Sequence, residues 1–150
     1  MTISVTHLAL ADRAQWEQLY RGYAAFYQVP MTDDTLERVW GWIFDEQQPF
    51  YSLIAKDAQG IALGLMHFRE MASPLRGAFV GFLDDLFVEP IARGNGVVDA
   101  LFAQLKTEAD AKGWPLVRWI TADDNYRGRA VYDRIATKTK WLTYQSDVAT

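Results

Sequence analysis

The sequence has 150 residues, of which 50% are hydrophobic and 23% charged, a composition that favours one soluble domain with one core. A net charge of −4 without any Lys/Arg cluster argues against a nucleic-acid partner, and the absence of cysteine excludes disulfides, thiolate zinc sites and a cysteine nucleophile. Residues 1–10 carry no secretory signal, and no apolar run is long enough to span a membrane. We therefore expect a cytoplasmic protein.

In the first half of the chain, apolar spacing predicts a strand, two helices and a β-hairpin. In chain order these are a strand within residues 3–8, a helix over Ala11–Tyr27, a second helix beginning near Asp34, and strands over Phe50–Ala55 and Ile61–Phe68. Pro30 ends the first helix. Asp34 followed by Glu37 resembles a capping box at the start of the second.

The second half alternates strands and helices after a loop over Ser73–Gly77. We expect a strand Phe79–Val88, a turn Pro90–Asn95, a helix Gly96–Lys112, a strand Leu116–Thr121, a helix Asn125–Ile135 and a last strand Trp141–Gln145. The order β-α-α-β-β-β-α-β-α-β predicts an α/β fold with a central mixed sheet and helices on both faces. No repeat or polar linker divides the chain, so we expect a single domain over residues 1–150.

The turn between the long strand and the following helix has the composition of an anion site. Helix N-termini present unpaired N–H groups and a partial positive charge, which bind phosphate. Gly94 and Gly96 allow positive φ and close approach of the backbone to a ligand, and Arg93 can add a charged contact. The alternative is an ordinary turn that uses its two glycines for steric reasons alone.

Residues 88–97 read Val-Glu-Pro-Ile-Ala-Arg-Gly-Asn-Gly-Val, which resembles the acetyl-CoA signature of GNAT acetyltransferases, Arg/Gln-x-x-Gly-x-Gly/Ala. Arg93 and Gly96 fit this signature, whereas Val98 stands where Gly or Ala is usual. The resemblance implies a GNAT fold with a mostly antiparallel sheet, and acetyl-CoA as cosubstrate. It also implies a set of cofactor-binding residues. These are Leu86, Phe87, Val88, Arg93, Gly94, Asn95, Gly96, Val97 and Val98.

A second motif, Asn125 followed by Ala130 and Tyr132, resembles the helix after strand five of the same family. The resemblance implies that Asn125 contributes to cofactor binding and that Tyr132 protonates the departing thiolate. Read locally, Asn125 is a good N-cap and Tyr132 is an aromatic residue packed on a helix face.

Two acids, Asp84 and Asp85, interrupt the otherwise apolar strand. A buried carboxylate is costly unless it is paired or used, and successive strand residues face opposite sides, so only one should face a given cleft. The segment Phe-Leu-Asp-Asp-Leu-Phe-Val resembles that of polyamine-acetylating GNAT enzymes. This implies that Asp84 orders water near the attacking amine, while Asp85 is structural, held by backbone N–H groups or a basic partner. A structural salt bridge is the alternative for both.

The resemblance also implies what the enzyme acts on. The first two helices form the acceptor wall in relatives, so Tyr23 and Tyr27 are expected to bind substrate together with Asp84. We expect direct attack by a small-molecule primary amine in a homodimer without a metal. A di- or polyamine is one candidate acceptor, and an amino acid or an antibiotic amine stays open. Protein N-termini or lysines, or a degenerate CoA-binding module, are the alternatives. His7 and His67 are expected to be strand residues with satisfied hydrogen bonds.

Overall fold

The computed structural model describes residues 2–149, which form two compact units, one ending at Trp119 and the other beginning at Ile120. The first unit contains a five-stranded sheet and three helices. Its strands are β1 (Ser4–His7), β2 (Phe50–Lys56), β3 (Ala62–Ser73), β4 (Ala78–Val88) and β5 (Val117–Trp119), and its helices are α1 (Arg13–Phe26), α2 (Asp33–Phe44) and α3 (Val97–Lys112). One helix, α4 (Tyr126–Ile135), belongs to the second unit.

The strands lie in the order β1-β2-β3-β4-β5. The first four are antiparallel to their neighbours, and β5 runs parallel to β4. This confirms the predicted mixed, mostly antiparallel sheet. Residues 62–68 of β3 are buried on both sides because helices cover both faces of the sheet there.

The two faces of the sheet carry separate cores. On one face, α1 and α2 bury Trp16, Leu19 and Leu36 against the sheet, and we call it the α1 face. On the other face, α3 packs the predicted stripe of Val97, Leu101, Leu105 and Ala109, and we call it the α3 face. The side that each residue of β4 presents therefore decides which core or cleft it joins.

The start of α2 differs from the expected capping box. Thr32 is the N-cap, with extended backbone, and its side chain accepts a hydrogen bond from the N–H of Thr35 at 3.1 Å. Asp34 lies in the first turn, and Glu37 pairs with Arg13 of α1 at 2.5 Å. The prediction placed the cap two residues too late because Thr32 and Asp34 are both residue types that cap helices.

In the second unit, α4 begins after Asn125, whose side chain accepts from the N–H of Gly128 at 3.3 Å. The predicted last strand over Trp141–Gln145 is wrong, since residues 137–149 are in neither helix nor strand. A strand needs a neighbouring strand to pair its backbone groups, and the described residues of this unit offer none. Between residues 2 and 149, no helix is both long and apolar enough to cross a membrane.

Candidate active site

The candidate site is built around a β-bulge in β4. Along the ladder between β3 and β4, His67 lies opposite Asp85, and Phe68 lies opposite Leu83. Asp84 is the extra residue that has no partner across the ladder, which defines the bulge. The bulge places the two acids at the centre of the sheet.

The bulge turns both acids to the same side of the sheet. Leu83 belongs to the core on the α3 face, so its neighbour Asp84 points to the α1 face. Asp85 lies opposite His67 and bonds Tyr20 of α1, so it also faces that side. The expectation that only one of the two acids can face a given cleft was therefore wrong, because strict alternation fails at a bulge.

The bulge also reverses the direction of the backbone N–H groups that follow it. The N–H of Gly81 donates towards β5, to Leu116 O at 3.0 Å. The N–H of Glu89 donates towards β3, to Leu63 O at 2.8 Å. In a regular strand these two donors, an even number of residues apart, would face the same edge.

This reversal exposes donors along an open edge of β4. The ladder between β4 and β5 covers only the pairs from Gly81↔Val117 to Leu83↔Trp119. Successive N–H groups alternate between the two edges of a strand. Because the N–H of Glu89 points to β3, those of Val88 and Leu86 point to the edge that faces away from β3. Phe87, also predicted to bind the cofactor, directs its N–H to β3 and buries its ring on the α1 face.

Asp85 is held by a buried hydrogen-bond network. Trp16 Nε1 donates to His67 Nε2 at 3.0 Å, and both side chains are fully buried. An indole N–H can only donate, so His67 Nε2 must accept, and its Nδ1 carries the hydrogen that it donates to Asp85 Oδ2 at 2.9 Å. Tyr20 donates its hydroxyl to the same oxygen at 3.0 Å. The basic partner expected for Asp85 is therefore His67.

These donors determine the charge state of Asp85. Burial by itself raises the pKa of the carboxyl, but the hydrogen bonds from His67, Tyr23 and Tyr20 outweigh it and hold the pKa below its ordinary value. Burial and the negative charge of Asp85 raise the pKa of both tyrosines, so their hydroxyls stay protonated and continue to donate. Asp85 is thus a fixed structural anion.

Of the predicted substrate residues, Tyr23 lies on α1 and Tyr27 directly follows it, and only Tyr23 lies next to the site. The ring of Tyr23 stacks on Tyr20 with a centroid distance of 5.9 Å, and burial together with the negative charge of Asp85 raises the pKa of its hydroxyl. Tyr27 follows the helix, contacts Tyr23 edge-on at 5.0 Å and is 38% exposed. The effect of Tyr23 on the Asp85 carboxylate was not expected from the sequence, because it depends on the fold.

Asp84 has a different environment from its neighbour. Its Oδ1 lies 3.3 Å from Arg69 Nη2, whereas its Oδ2 is buried and makes no hydrogen bond within residues 2–149. Burial raises the pKa to about 6; the charge of Arg69 opposes this rise and that of Asp85 adds to it. A carboxylate with a pKa close to neutrality and an unused oxygen can exchange protons near physiological pH.

The predicted anion loop has the geometry that its glycines suggested. Gly94 and Gly96 have φ of +81° and +85°, and a Cβ built on either glycine would meet no described atom within 4 Å. Gly96 is the N-cap of α3, and no described side chain caps it, so the first N–H groups of the helix are left for a ligand. The loop therefore presents open space beside a helix N-terminus.

Side chains around the loop close the turn without filling this space. Arg93 Nε donates to Val88 O at 3.3 Å, and Asn95 Nδ2 donates to Ala92 O at 3.3 Å. Val97 is buried, and Val98 packs against the core on the α3 face. The side chain of Val98, unusual for the family signature, is thus accommodated by the core.

A cavity of about 280 Å³ lies elsewhere in the first unit. It is lined by Gln15, Gln18, Leu19, Ile61, Ala62, Leu63, Glu89 and Ile91. None of the residues discussed above for proton transfer or anion binding lines it. The two histidines are satisfied as expected, since His7 bonds Glu108 at 2.7 Å and His67 belongs to the Asp85 network.

The second unit carries the remaining two predicted residues. Asn125 caps α4, and its Nδ2 donates to Thr121 Oγ1 at 2.9 Å. This matches the local interpretation of Asn125 and leaves its cofactor role a prediction. Tyr132 lies within α4, where its backbone carbonyl accepts from the N–H of Ala136 at the end of the helix.

Comparison with known proteins places this geometry in a family. The chain matches the sequence profile of the acetyltransferase (GNAT) family over residues 16–136. It is 27% identical over 135 residues to the D-amino-acid N-acetyltransferase HPA3 of Saccharomyces cerevisiae, covering 89% of this chain and 84% of that protein.

Solved structures agree with the fold. The structure of AAC(6')-Iy in complex with a bisubstrate analog has a TM-score of 0.86 at 19% identity, covering 99% of this chain and 100% of that one. The ribosomal-protein-alanine N-acetyltransferase from Brucella melitensis biovar Abortus 2308 has a TM-score of 0.78 at 22% identity, covering 98% and 100%. At these identities the likeness is one of fold.

The contrast between the two acids predicts opposite effects of the same substitution on stability. At pH 8, Asp85→Asn should lower the free energy of unfolding by about 3 kcal/mol, since it breaks a buried charged network. Asp84→Asn should raise it by about 1 kcal/mol, because the folded pKa of about 6 exceeds the ordinary value of 3.8 and the ionised form costs stability. Urea unfolding measures both changes.

The pH dependence of this effect provides the control. A raised carboxyl pKa costs stability fully only above the folded pKa, so the gain in Asp84→Asn should shrink as the pH falls below about 6. A loss of stability in Asp84→Asn as large as that in Asp85→Asn would show that Asp84 is a structural ion-pair partner.

Proposed function

This chain belongs to the acetyltransferase (GNAT) family of N-acetyltransferases, and we propose that it transfers the acetyl group of acetyl-CoA directly to a primary amine of a small molecule. The observation that carries the proposal is the bulge. It places Asp84, with its raised pKa and unused oxygen, beside the open edge of β4. The relative HPA3 is an acetyltransferase named for D-amino acids, and the structural neighbour AAC(6')-Iy was solved in complex with a bisubstrate analog.

Acetyl-CoA binding is proposed at the loop and the adjoining edge. The pyrophosphate would accept hydrogen bonds from backbone N–H groups between Arg93 and Val98, where the two glycines leave room. The pantetheine arm would follow the open edge, where the N–H groups of Leu86 and Val88 are available. One of these donors would also polarise the thioester carbonyl.

The proton balance of the reaction assigns the role of Asp84. An alkylamine with a pKa of about 10.4 is protonated at pH 7 and cannot attack until it loses a proton. Ionised Asp84 would accept that proton through a water molecule. The neutral amine would then form the new C–N bond at the carbonyl carbon, and the C–S bond would break. The nitrogen would release its second proton to water, and the thiolate would take up a proton to leave as free CoA.

Two residue assignments follow the family resemblance. Tyr132 would donate the proton to the thiolate, and Asn125 would support the cofactor beyond its role as a helix cap. Tyr23 and Tyr27 would line the acceptor site. Because burial and the charge of Asp85 raise the pKa of the Tyr23 hydroxyl and keep it neutral, the contribution of Tyr23 to binding a cation would be the ring, whose face attracts an ammonium group.

Other acceptors have specific support. The fold neighbour from Brucella is named for acetylating a ribosomal protein's alanine, which keeps protein N-termini as a second candidate. A homodimer and a cytoplasmic location without nucleic-acid or membrane partners are also part of the proposal. The direct test measures CoA release with a panel of amines and a peptide. If no acceptor raises CoA release above the background hydrolysis of acetyl-CoA, a CoA-binding module without transferase activity is the remaining alternative.

The anion loop gives a prediction with a matched control in the same helix. Gly96→Ala and Gly113→Ala both place a Cβ at positive φ, +85° and +73°, with no described atom within 4 Å. Both should therefore lower stability by about 1 kcal/mol. Only Gly96→Ala should weaken CoA binding, by roughly 10- to 100-fold, because its methyl group would meet the pyrophosphate. Calorimetry measures the affinity, and equal affinities would remove the proposed phosphate site.

The pKa of Asp84 predicts the pH profile. The free enzyme needs ionised Asp84, so kcat/KM for an alkylamine should fall as the pH drops below about 6 and stay level above it. The Asp84→Asn variant has no carboxylate to remove the proton and can use only amine that is already neutral. Its kcat/KM should therefore rise with pH, and the difference from wild type should shrink. Profiles that stay parallel at every pH would assign proton removal to another group.

The assignment of Tyr132 is tested by removing its hydroxyl alone. Tyr132→Phe should keep CoA affinity and lower turnover by about 10²–10⁴-fold, the range of general acid–base steps. Tyr126→Phe is the control, since Tyr126 also lies on α4 but is 74% exposed. Single-turnover rates isolate chemistry from product release. An unchanged single-turnover rate in Tyr132→Phe would show that solvent or another group protonates the thiolate.

A further inference from the structure

Arg69 of β3 lies on the same face of the sheet as Asp84. It is opposite Phe82 across the ladder, and Phe82 and Asp84 share a side because the bulge begins only after Leu83. Its Nη2 is 3.3 Å from Asp84 Oδ1, and its side chain is 49% exposed. A cationic group therefore stands next to the proposed general base, at the surface through which an acceptor would arrive.

The guanidinium is held in place but largely unused. It lies over the ring of Phe82 with its carbon 4.9 Å from the centroid, which fixes its plane. Asp84 is its ion-pair partner among residues 2–149, through one contact of 3.3 Å rather than a two-bonded fork. A guanidinium has five N–H donors, and its planar edge matches a carboxylate with two parallel hydrogen bonds.

The adjacent opposite charges of Asp84 and Arg69 favour one class of acceptor. An α-amino acid carries an ammonium and a carboxylate on one carbon, so its charges can pair with Asp84 and Arg69 side by side. A diamine would instead bring a second cation against Arg69, which is unfavourable. Resting on the proposed acetyltransferase function, we infer that Arg69 is the carboxylate receptor of the acceptor site and that the acceptor is an α-amino acid.

The neighbours of Arg69 indicate the kind of side chain to use as a probe. Across the two ladders, Arg69 lies between Phe50 of β2 and Phe82 of β4. The ring of Phe50 is also 6.1 Å from that of Trp42 on α2. An acceptor bound to Arg69 thus has aromatic surfaces beside it, which favour an apolar or aromatic side chain.

The experiment compares phenylalanine with acceptors that lack its carboxylate. The probes are both enantiomers of phenylalanine, phenylalaninamide, phenethylamine and putrescine, at pH 8.5, where Asp84 is ionised. We expect wild type to prefer phenylalanine, in one enantiomer, to phenethylamine. Arg69→Gln should reduce the phenylalanine-to-phenethylamine ratio of kcat/KM by roughly 10- to 100-fold, the value of a lost hydrogen bond to a charged group. Arg69→Lys should restore part of it.

Arg76 provides the matched control. It lies in the turn after β3, is exposed and contacts Ser73, so Arg76→Gln removes the same charge away from Asp84. This variant should keep the wild-type ratio. If Arg69→Gln lowers kcat/KM equally for phenylalanine and phenethylamine, then Arg69 acts only through the pKa of Asp84 and does not bind the acceptor carboxylate. A higher wild-type kcat/KM for putrescine or phenethylamine than for phenylalanine would also overturn the inference.

A binding measurement separates this inference from the proposed function. Calorimetric titration of phenylalanine into the CoA-saturated protein reports the carboxylate site without requiring turnover. Binding to wild type that weakens 10- to 100-fold in Arg69→Gln supports the site, even if no amine is acetylated and the proposed function fails. Two outcomes would overturn the inference and leave the proposed function standing. In both, amines are acetylated; either phenylalanine binds equally well to wild type and Arg69→Gln, or phenylalanine does not bind at all.

Discussion

One extra residue in β4 determines the architecture of the candidate site. A regular strand would send Asp84 and Asp85 to opposite faces and would direct the later N–H groups towards β3 and β5 in unbroken alternation. The bulge places both acids on the α1 face and turns the N–H groups of Leu86 and Val88 to the edge that β5 leaves open. A carboxyl group with a raised pKa and unpaired backbone donors are thus brought to one region by a single backbone irregularity.

The two adjacent acids have separate roles because their surroundings differ. Asp85 receives hydrogen bonds from His67 and Tyr20, and His67 is in turn fixed by the indole of Trp16. This network keeps one charge constant and anchors α1 to the centre of the sheet. Asp84 has one long contact with Arg69 and an oxygen without a partner among the described residues. One carboxylate is thus held by several hydrogen bonds, and the other keeps an oxygen without a hydrogen bond among residues 2–149.

Much of the loop between β4 and α3 could be predicted from the sequence because its conformation is local. Gly94 and Gly96 adopt positive φ, which a glycine-containing turn between a strand and a helix requires, and α3 starts within a residue of the expected position. The sheet, with its two helix-covered faces, also followed from the apolar periodicity. The last strand did not form, because pairing depends on a neighbour that periodicity within the segment cannot supply.

The sequence by itself determined the family, the glycine-containing loop before α3 and the presence of two acids in a buried strand, since each is written in contiguous residues. Only the tertiary structure decided which groups surround the two acids. Asp85 is bonded by Tyr20 and His67, and His67 is in turn held by Trp16. Asp84 pairs with Arg69, and all of these partners come from α1 and β3. Register across a ladder, and the bulge that shifts it, are set by packing between distant segments, so no local pattern could have assigned these contacts.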